Sequence, residues 1–85
     1  MSELQEQFEK AVQNSKNIPG KPSNDDLLFL YSHYKQAKEG NCAGKRPGIM
    51  DLVGRTKYDA WKKLEGISKE EAMKKYIDKV NKLEQ

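Results

Sequence analysis

Eighty-five residues make one small domain, and 35% hydrophobic against 34% charged residues means that its core must come from amphipathic faces. Sixteen basic and 13 acidic residues, intermixed along the chain, give a net charge of +3, which suits mildly anionic partners and excludes a nucleic-acid-binding tail. The single cysteine, Cys42, excludes an internal disulfide and any multi-cysteine metal site, and points to a reducing compartment.

The segment from Met1 to Gln7 is too acidic and polar for a signal or transit peptide. No apolar run approaches the length needed to cross a bilayer. A cytoplasmic monomer without membrane insertion is expected, with residues 1–85 forming one domain.

Ser2 and Gln5 have capping-box spacing, so a first helix starts there, with Leu4, Phe8, Ala11, Val12 and Ser15 as its inner stripe. It should stop near Lys16-Asn17, because Pro19-Gly20 and Pro22 interrupt a helical pattern. Ser23 caps a second helix and Gly40 closes it. At about 100° per residue its apolar positions fall on two faces. Phe29, Leu30, His33 and Ala37 form an ordinary core face. Leu27, Leu28, Tyr31, Tyr34, Lys35 and Lys38 form the other, which is apolar in its first turn and phenolic and cationic in its last two. A ligand with an apolar part and an anionic part fits such a face. The plainer reading is that the tyrosines are half-buried core and the lysines are solvated.

The link from Gly40 to Met50 is too long for antiparallel neighbours in a bundle, so a crossover leaving the second and third helices parallel is expected. Ile49 and Met50 are expected to tie that link down. Asp51 caps a third helix that carries Tyr58, Ala60, Trp61 and Leu64 and ends at Gly66. Ser68-Lys69-Glu70-Glu71 opens a fourth, whose stripe is Ala72, Met73, Tyr76, Ile77, Val80 and Leu83. No segment alternates with strand period. The fold is all-α: a single four-helix bundle with a long crossover between helices 2 and 3.

No catalytic constellation is visible. His33, the sole histidine, lies on the core face of its helix, where a satisfied core residue is a better reading than a general base. Cys42 has no neighbouring base to activate it as a nucleophile. The carboxylates sit on solvated faces or at helix N-termini, and no phosphate-cradling glycine pattern follows a strand. No metal and no resident cofactor are implied. Lys57 and Tyr58 on the third helix, Tyr76 on the fourth and Lys16 after the first extend the lysine-tyrosine theme. Lysines supply charge to phosphate oxygens, tyrosine hydroxyls donate hydrogen bonds, and a phenol ring stacks on a purine.

The run from Pro22 to Gly40, with Leu27, Leu30-Tyr31-Ser32, Tyr34-Lys35-Gln36-Ala37 and Gly40 at their spacings, resembles the signature of the acyl-CoA-binding proteins. Arg46-Pro47-Gly48, Lys57-Tyr58-Asp59-Ala60-Trp61 and Ser68-Lys69-Glu70-Glu71-Ala72-Met73 with Tyr76-Ile77 agree with it, so the resemblance spans nearly the whole chain. It implies an up-down-down-up bundle with the second helix central, and a carrier of long-chain acyl-CoA esters that can serve acyl-CoA-using enzymes. By matching position, Tyr31, Lys35 and Lys57 would hold the ribose 3′-phosphate and Tyr34 would stack on the adenine. Tyr76 would close the site, with Lys16 near the adenine edge. Phe8, Val12, Leu27, Leu28 and Ile49 would line the acyl groove. Tyr58 stands near the acyl chain where the family usually has tryptophan, and Lys38 replaces a commonly small residue at the rim of the nucleotide site.

Two other readings compete. The groove could take an amphipathic peptide from a partner protein. A basic nucleic-acid-binding bundle is the third, but no helix has a cationic face free of acids.

Overall fold

Each helix begins where a short polar side chain is available to cap it. In the computed structural model of the chain, which describes residues 2–84, four helices follow one another: α1 (Glu3–Ser15), α2 (Asn24–Glu39), α3 (Leu52–Lys62) and α4 (Lys69–Glu84). Ser2 Oγ accepts from the Gln5 N–H at 3.1 Å and Ser23 Oγ from the Asp26 N–H at 3.1 Å. An Asp51 oxygen accepts from the Gly54 N–H at 2.9 Å, and Ser68 Oγ from the Glu71 N–H at 3.0 Å. All four starts match the sequence reading. Gly40 ends α2 with a φ of 83°, a conformation that costs glycine little and other residues more.

α3 is shorter than expected. It stops at Lys62 and does not continue to Gly66. Beyond it the chain tightens into three-residue turns, with Leu64 N–H donating to the Trp61 carbonyl at 2.9 Å and Ile67 N–H to the Leu64 carbonyl at 3.0 Å. Those turns bring the chain to Ser68 and the next cap.

Among the described residues the buried core cluster comes from three helices, and Cys42 of the crossover is buried as well. Phe8 and Ala11 on α1, Leu30 and Ala37 on α2, and Ala72, Tyr76 and Val80 on α4 form one cluster. α3 contributes no buried residue. Among the described residues α1 packs on α4, α4 on α2, and α3 on α2 alone. α2 is therefore the central element, as the resemblance implies.

Paired contacts set the chain directions. Lys79 meets Asp26 at 2.6 Å near the start of α2, and Gln36 near its end donates to the Ile67 carbonyl at 2.7 Å, so α2 and α4 are antiparallel. Tyr31 faces Lys57 and Lys35 faces Trp61, the numbers rising together, so α2 and α3 are parallel. The long crossover follows from that direction.

The crossover is not held as expected. Ile49 is 72% exposed and Met50 93%, so neither ties it down. Polar contacts do so instead. Arg46 makes a two-pronged pair with Asp59, at 3.0 and 2.7 Å, and Arg55 Nε donates to the Pro47 carbonyl at 2.9 Å. Tyr58 Oη donates to the Gly44 carbonyl at 3.1 Å. Glycine- and proline-rich backbone leaves many carbonyls free, and α3 supplies the donors that satisfy them.

His33 lies in the core face, as the helical phase predicts. Its ring stacks on Phe29 with centroids 3.9 Å apart, and Nδ1 lies 2.8 Å from the Phe29 carbonyl oxygen. A carbonyl only accepts, so Nδ1 carries the hydrogen. Burial holds the imidazole pKa below its ordinary 6.5, opposed by the Phe29 carbonyl and assisted by the nearby Lys75 ammonium. Below that pH the unfolded chain binds a proton that the native state resists. The stability present above pH 6.5 is therefore lost progressively as the pH falls through the depressed folded value. Urea midpoints at about pH 7 and about pH 5 should differ more for the wild type than for His33→Phe. Equal drops in the two proteins would show that His33 carries none of the acid sensitivity.

Candidate functional site

The second face of α2 is divided between two hollows. Its Leu27, Leu28 and Tyr31 meet Leu52, Val53, Thr56 and Lys57 of α3 across a cavity of about 570 Å³, bordered by Asn24 and Asp25. The floor is aliphatic at one end. At the other, Lys57 Nζ lies 5.1 Å from the Tyr31 ring centroid, within cation–π range. One turn further, Lys35 Nζ lies 5.0 Å from the Trp61 ring and pairs with Glu39 on its own helix. The hydrogen bond to Glu39 is the main reason that the Lys35 pKa is raised, so the ammonium stays charged. An exposed i,i+4 pair of this kind contributes about 0.5 kcal/mol or less, and a phosphate can displace the carboxylate.

Tyr34, about 60° around α2 from Tyr31, turns toward α1 and α4. Its ring stacks against Phe8 of α1, centroids 6.0 Å apart at 22°, and lies 6.3 Å from the Tyr76 ring of α4. Phe8 and Tyr76 meet edge-on at 5.1 Å, an arrangement that suits the quadrupoles of both rings. Beside this cluster a hollow of about 440 Å³ is lined by Phe8, Val12, Tyr34 and Lys38, with Glu9, Lys10 and Gln13 at its edge. A cation and a half-exposed aromatic ring therefore meet in the second hollow as they do in the first.

The sequence-predicted residues are thus not all in one place. Leu27, Leu28, Tyr31 and Lys57 share the first cavity; Phe8, Val12 and Tyr34 share the second. Tyr76 is buried, with Oη 3.2 Å from Ser15 Oγ at the end of α1, and burial pushes its phenol pKa up against the lowering effect of that hydrogen bond. Lys16 is exposed at the C-cap of α1. Tyr58 is half-buried, its hydroxyl turned to the crossover, and Ile49 is exposed outside both cavity walls.

Sequence reasoning missed Leu52, Val53 and Thr56 as wall residues, although two apolar residues directly after the Asp51 cap were a usable signal. It also gave no role to Gln36, which is fully buried. The Gln36 amide donates to Asn41 Oδ1 at 3.0 Å and to the Ile67 carbonyl, and Gln36 Oε1 accepts from Trp61 Nε1 at 3.1 Å. Trp61 Nε1 shares its hydrogen with the Gly40 carbonyl at 2.9 Å. One amide thus locks α2, the crossover, α3 and the turn before α4 together, below the row of Tyr31 and Lys35.

Residues 5–80 match the family model described as "Acyl CoA binding protein". An acyl-CoA-binding protein homolog of Manduca sexta is 51% identical over 81 residues, covering 94% of this chain and 90% of the relative. Acyl-CoA-binding domain-containing protein 2 of Oryza sativa subsp. japonica is 52% identical over 80 residues, covering 94% and 88%. The crystal structure of Oryza sativa acyl-CoA-binding protein 2 superposes with a TM-score of 0.90 at 52% identity, over 94% of this chain and 89% of that one. That of the protein from Moniliophthora perniciosa gives 0.88 at 42% identity, over 98% and 80%. With family, sequence and fold agreeing over nearly its whole length, this chain belongs to the acyl-CoA-binding protein family.

Proposed function

We propose that the protein binds long-chain acyl-CoA esters and carries them through the cytoplasm to acyl-CoA-using enzymes, without catalysing a reaction itself. One observation supports this most strongly: an aliphatic cavity wall of Leu27, Leu28, Leu52 and Val53 runs into the Lys57–Tyr31 cation–ring pair. The ligand has the same two halves, a chain to hide from water and an anionic head. The acyl chain lies against the leucines and valine. Lys57, Tyr31 and Lys35 meet the ribose 3′-phosphate, which separates coenzyme A from ordinary adenine nucleotides. Tyr34 offers the adenine a ring backed by Phe8 and Tyr76, while Lys38 and Lys16 place charge at the rim. Tyr76 acts from beneath, by fixing Tyr34. The peptide-groove alternative is not favoured, since the family matched is one of acyl-CoA-binding proteins.

The head-group assignment is tested through Lys57. A charge-assisted hydrogen bond to a partly desolvated phosphate is worth about 2 kcal/mol. The diffuse field of one lysine among 16 basic residues is smaller and fades with salt. Wild type and Lys57→Ala are each titrated with an acyl-CoA and with the same ester lacking the 3′-phosphate. The substitution should weaken the complete ligand about tenfold or more and leave the dephospho ligand nearly unaffected. Equal losses for both ligands would reduce Lys57 to a share of the general positive field.

A further inference from the structure

The crossover ends in a turn whose composition is the reverse of what turns usually carry. Asp51 N–H donates to the Gly48 carbonyl at 2.9 Å, so Ile49 and Met50 occupy the two central positions of a β-turn. Those positions normally hold Gly, Pro, Asn or Asp. Here they hold two large apolar side chains, 72% and 93% exposed, and Leu52 and Val53, 71% and 67% exposed, follow at the start of α3. Leu27 of α2, 49% exposed, stands on the far wall of the cavity that Leu52 and Val53 line. These five are the exposed large hydrophobic residues among those described. Such a gathering marks an interaction surface.

Charge indicates what covers it. Residues 41–63, the crossover with α3 and its C-cap, hold six of the 16 basic residues and only two of the 13 acidic ones. Their surplus of four positive charges exceeds the +3 of the whole chain, so the rest of the protein is slightly acidic. Asp51 is turned onto the N-terminus of α3, Asp59 is paired with Arg46, and Lys62 is paired with Glu65 just beyond the segment, so that Lys45, Arg55, Lys57 and Lys63 carry its positive field. A protruding apolar turn on the cationic part of the molecule matches an anionic bilayer: apolar tips enter the headgroup–acyl boundary while lysine and arginine meet lipid phosphates. Leu27, Leu52 and Val53 line the concave cavity, but the two most exposed residues, Ile49 and Met50, stand on a turn at its edge, which suits a bilayer better than a partner helix.

We infer that the Ile49–Val53 turn docks the protein onto anionic membrane surfaces, with the mouth of the α2–α3 cavity against the lipid. The cavity then opens at the plane where amphiphiles with long acyl chains reside. The docking surface stands independently of the ligand assignment, because the vesicle partitioning that decides it uses ligand-free protein.

The test is sedimentation with large vesicles of phosphatidylcholine containing about 30 mol% phosphatidylserine, against pure phosphatidylcholine. Wild type should partition onto the anionic vesicles about tenfold or more above the neutral ones, and less in about 0.5 M salt. Met50→Asp should lower that partitioning about tenfold or more and change acyl-CoA affinity without vesicles by less than about twofold. Met50→Trp should retain binding and show a blue-shifted emission on adding anionic vesicles, beyond any change from Trp61 in the wild type. No preference for anionic vesicles overturns the proposal. So does partitioning that Met50→Asp leaves intact, which would be adsorption by charge alone. A Met50-dependent dimer in sedimentation velocity, without vesicle binding, would assign the turn to a second copy instead and equally overturn it.

Discussion

Across a series of acyl-CoAs of increasing length, affinity should rise by up to about fourfold per added methylene and then level off. The rise comes from transfer of each CH₂ from water to the wall of Leu27, Leu28, Leu52 and Val53, at about 0.8 kcal/mol for full burial. The plateau comes from the finite cavity of about 570 Å³, beyond which further methylenes remain in solvent. Calorimetry over the series, with coenzyme A lacking an acyl chain as the zero point, measures both limbs. Equal affinity for short and long chains would mean that the α2–α3 cavity does not hold the chain. Removing Leu52 as Leu52→Ala should flatten the rising limb, since that side chain forms part of the wall and none of the buried core.

Phe8→Ala should cost about 3–5 kcal/mol of stability, the usual range for emptying a buried aromatic site. Phe8 is 1% exposed and touches both Tyr34 and Tyr76, so the lost ring leaves a void between α1, α2 and α4. A domain of this size has about 5–15 kcal/mol in all, so the loss is a large share of the whole. Urea denaturation monitored by circular dichroism would report it as a lower midpoint with a similar slope. Leu27→Ala, at a half-exposed wall position, should cost less than about 1 kcal/mol in the same assay. A Phe8→Ala loss as small as that of Leu27→Ala would show that the three-ring cluster is not what joins α1 to the rest.

The helices were legible because their signals are local. Ser2, Ser23, Asp51 and Ser68 cap within three residues of themselves, and the α1 and α4 stripes repeat every three or four positions. Gln36 was not legible. A glutamine between Lys35 and Ala37 has the composition of a solvated site, and only Trp61 and Ile67, 25 and 31 residues away, make its burial favourable. Tyr31 and Tyr34 share one face in helical phase, yet α3 and α1 flank α2 on different sides and draw them into separate hollows. Ile49 and Met50 were misread by the rule that apolar residues seek the interior, a rule that holds only where some interior is in reach. In the crossover the arginines and Tyr58 supply the anchoring, and the buried apolar residue is Cys42.

α3 gives the core no buried residue and leans on α2 alone. Different parts of one small protein need not open together: the least buried unit detaches first, at a free energy below that of global unfolding. Here that unit is one wall of the α2–α3 cavity together with Lys57, while α1, α2 and α4 keep the core cluster. On the proposed reading, a bulky amphiphile could enter and leave by a parting of α3 from α2, a motion that the Trp61 hydrogen bonds to Gln36 and Gly40 oppose.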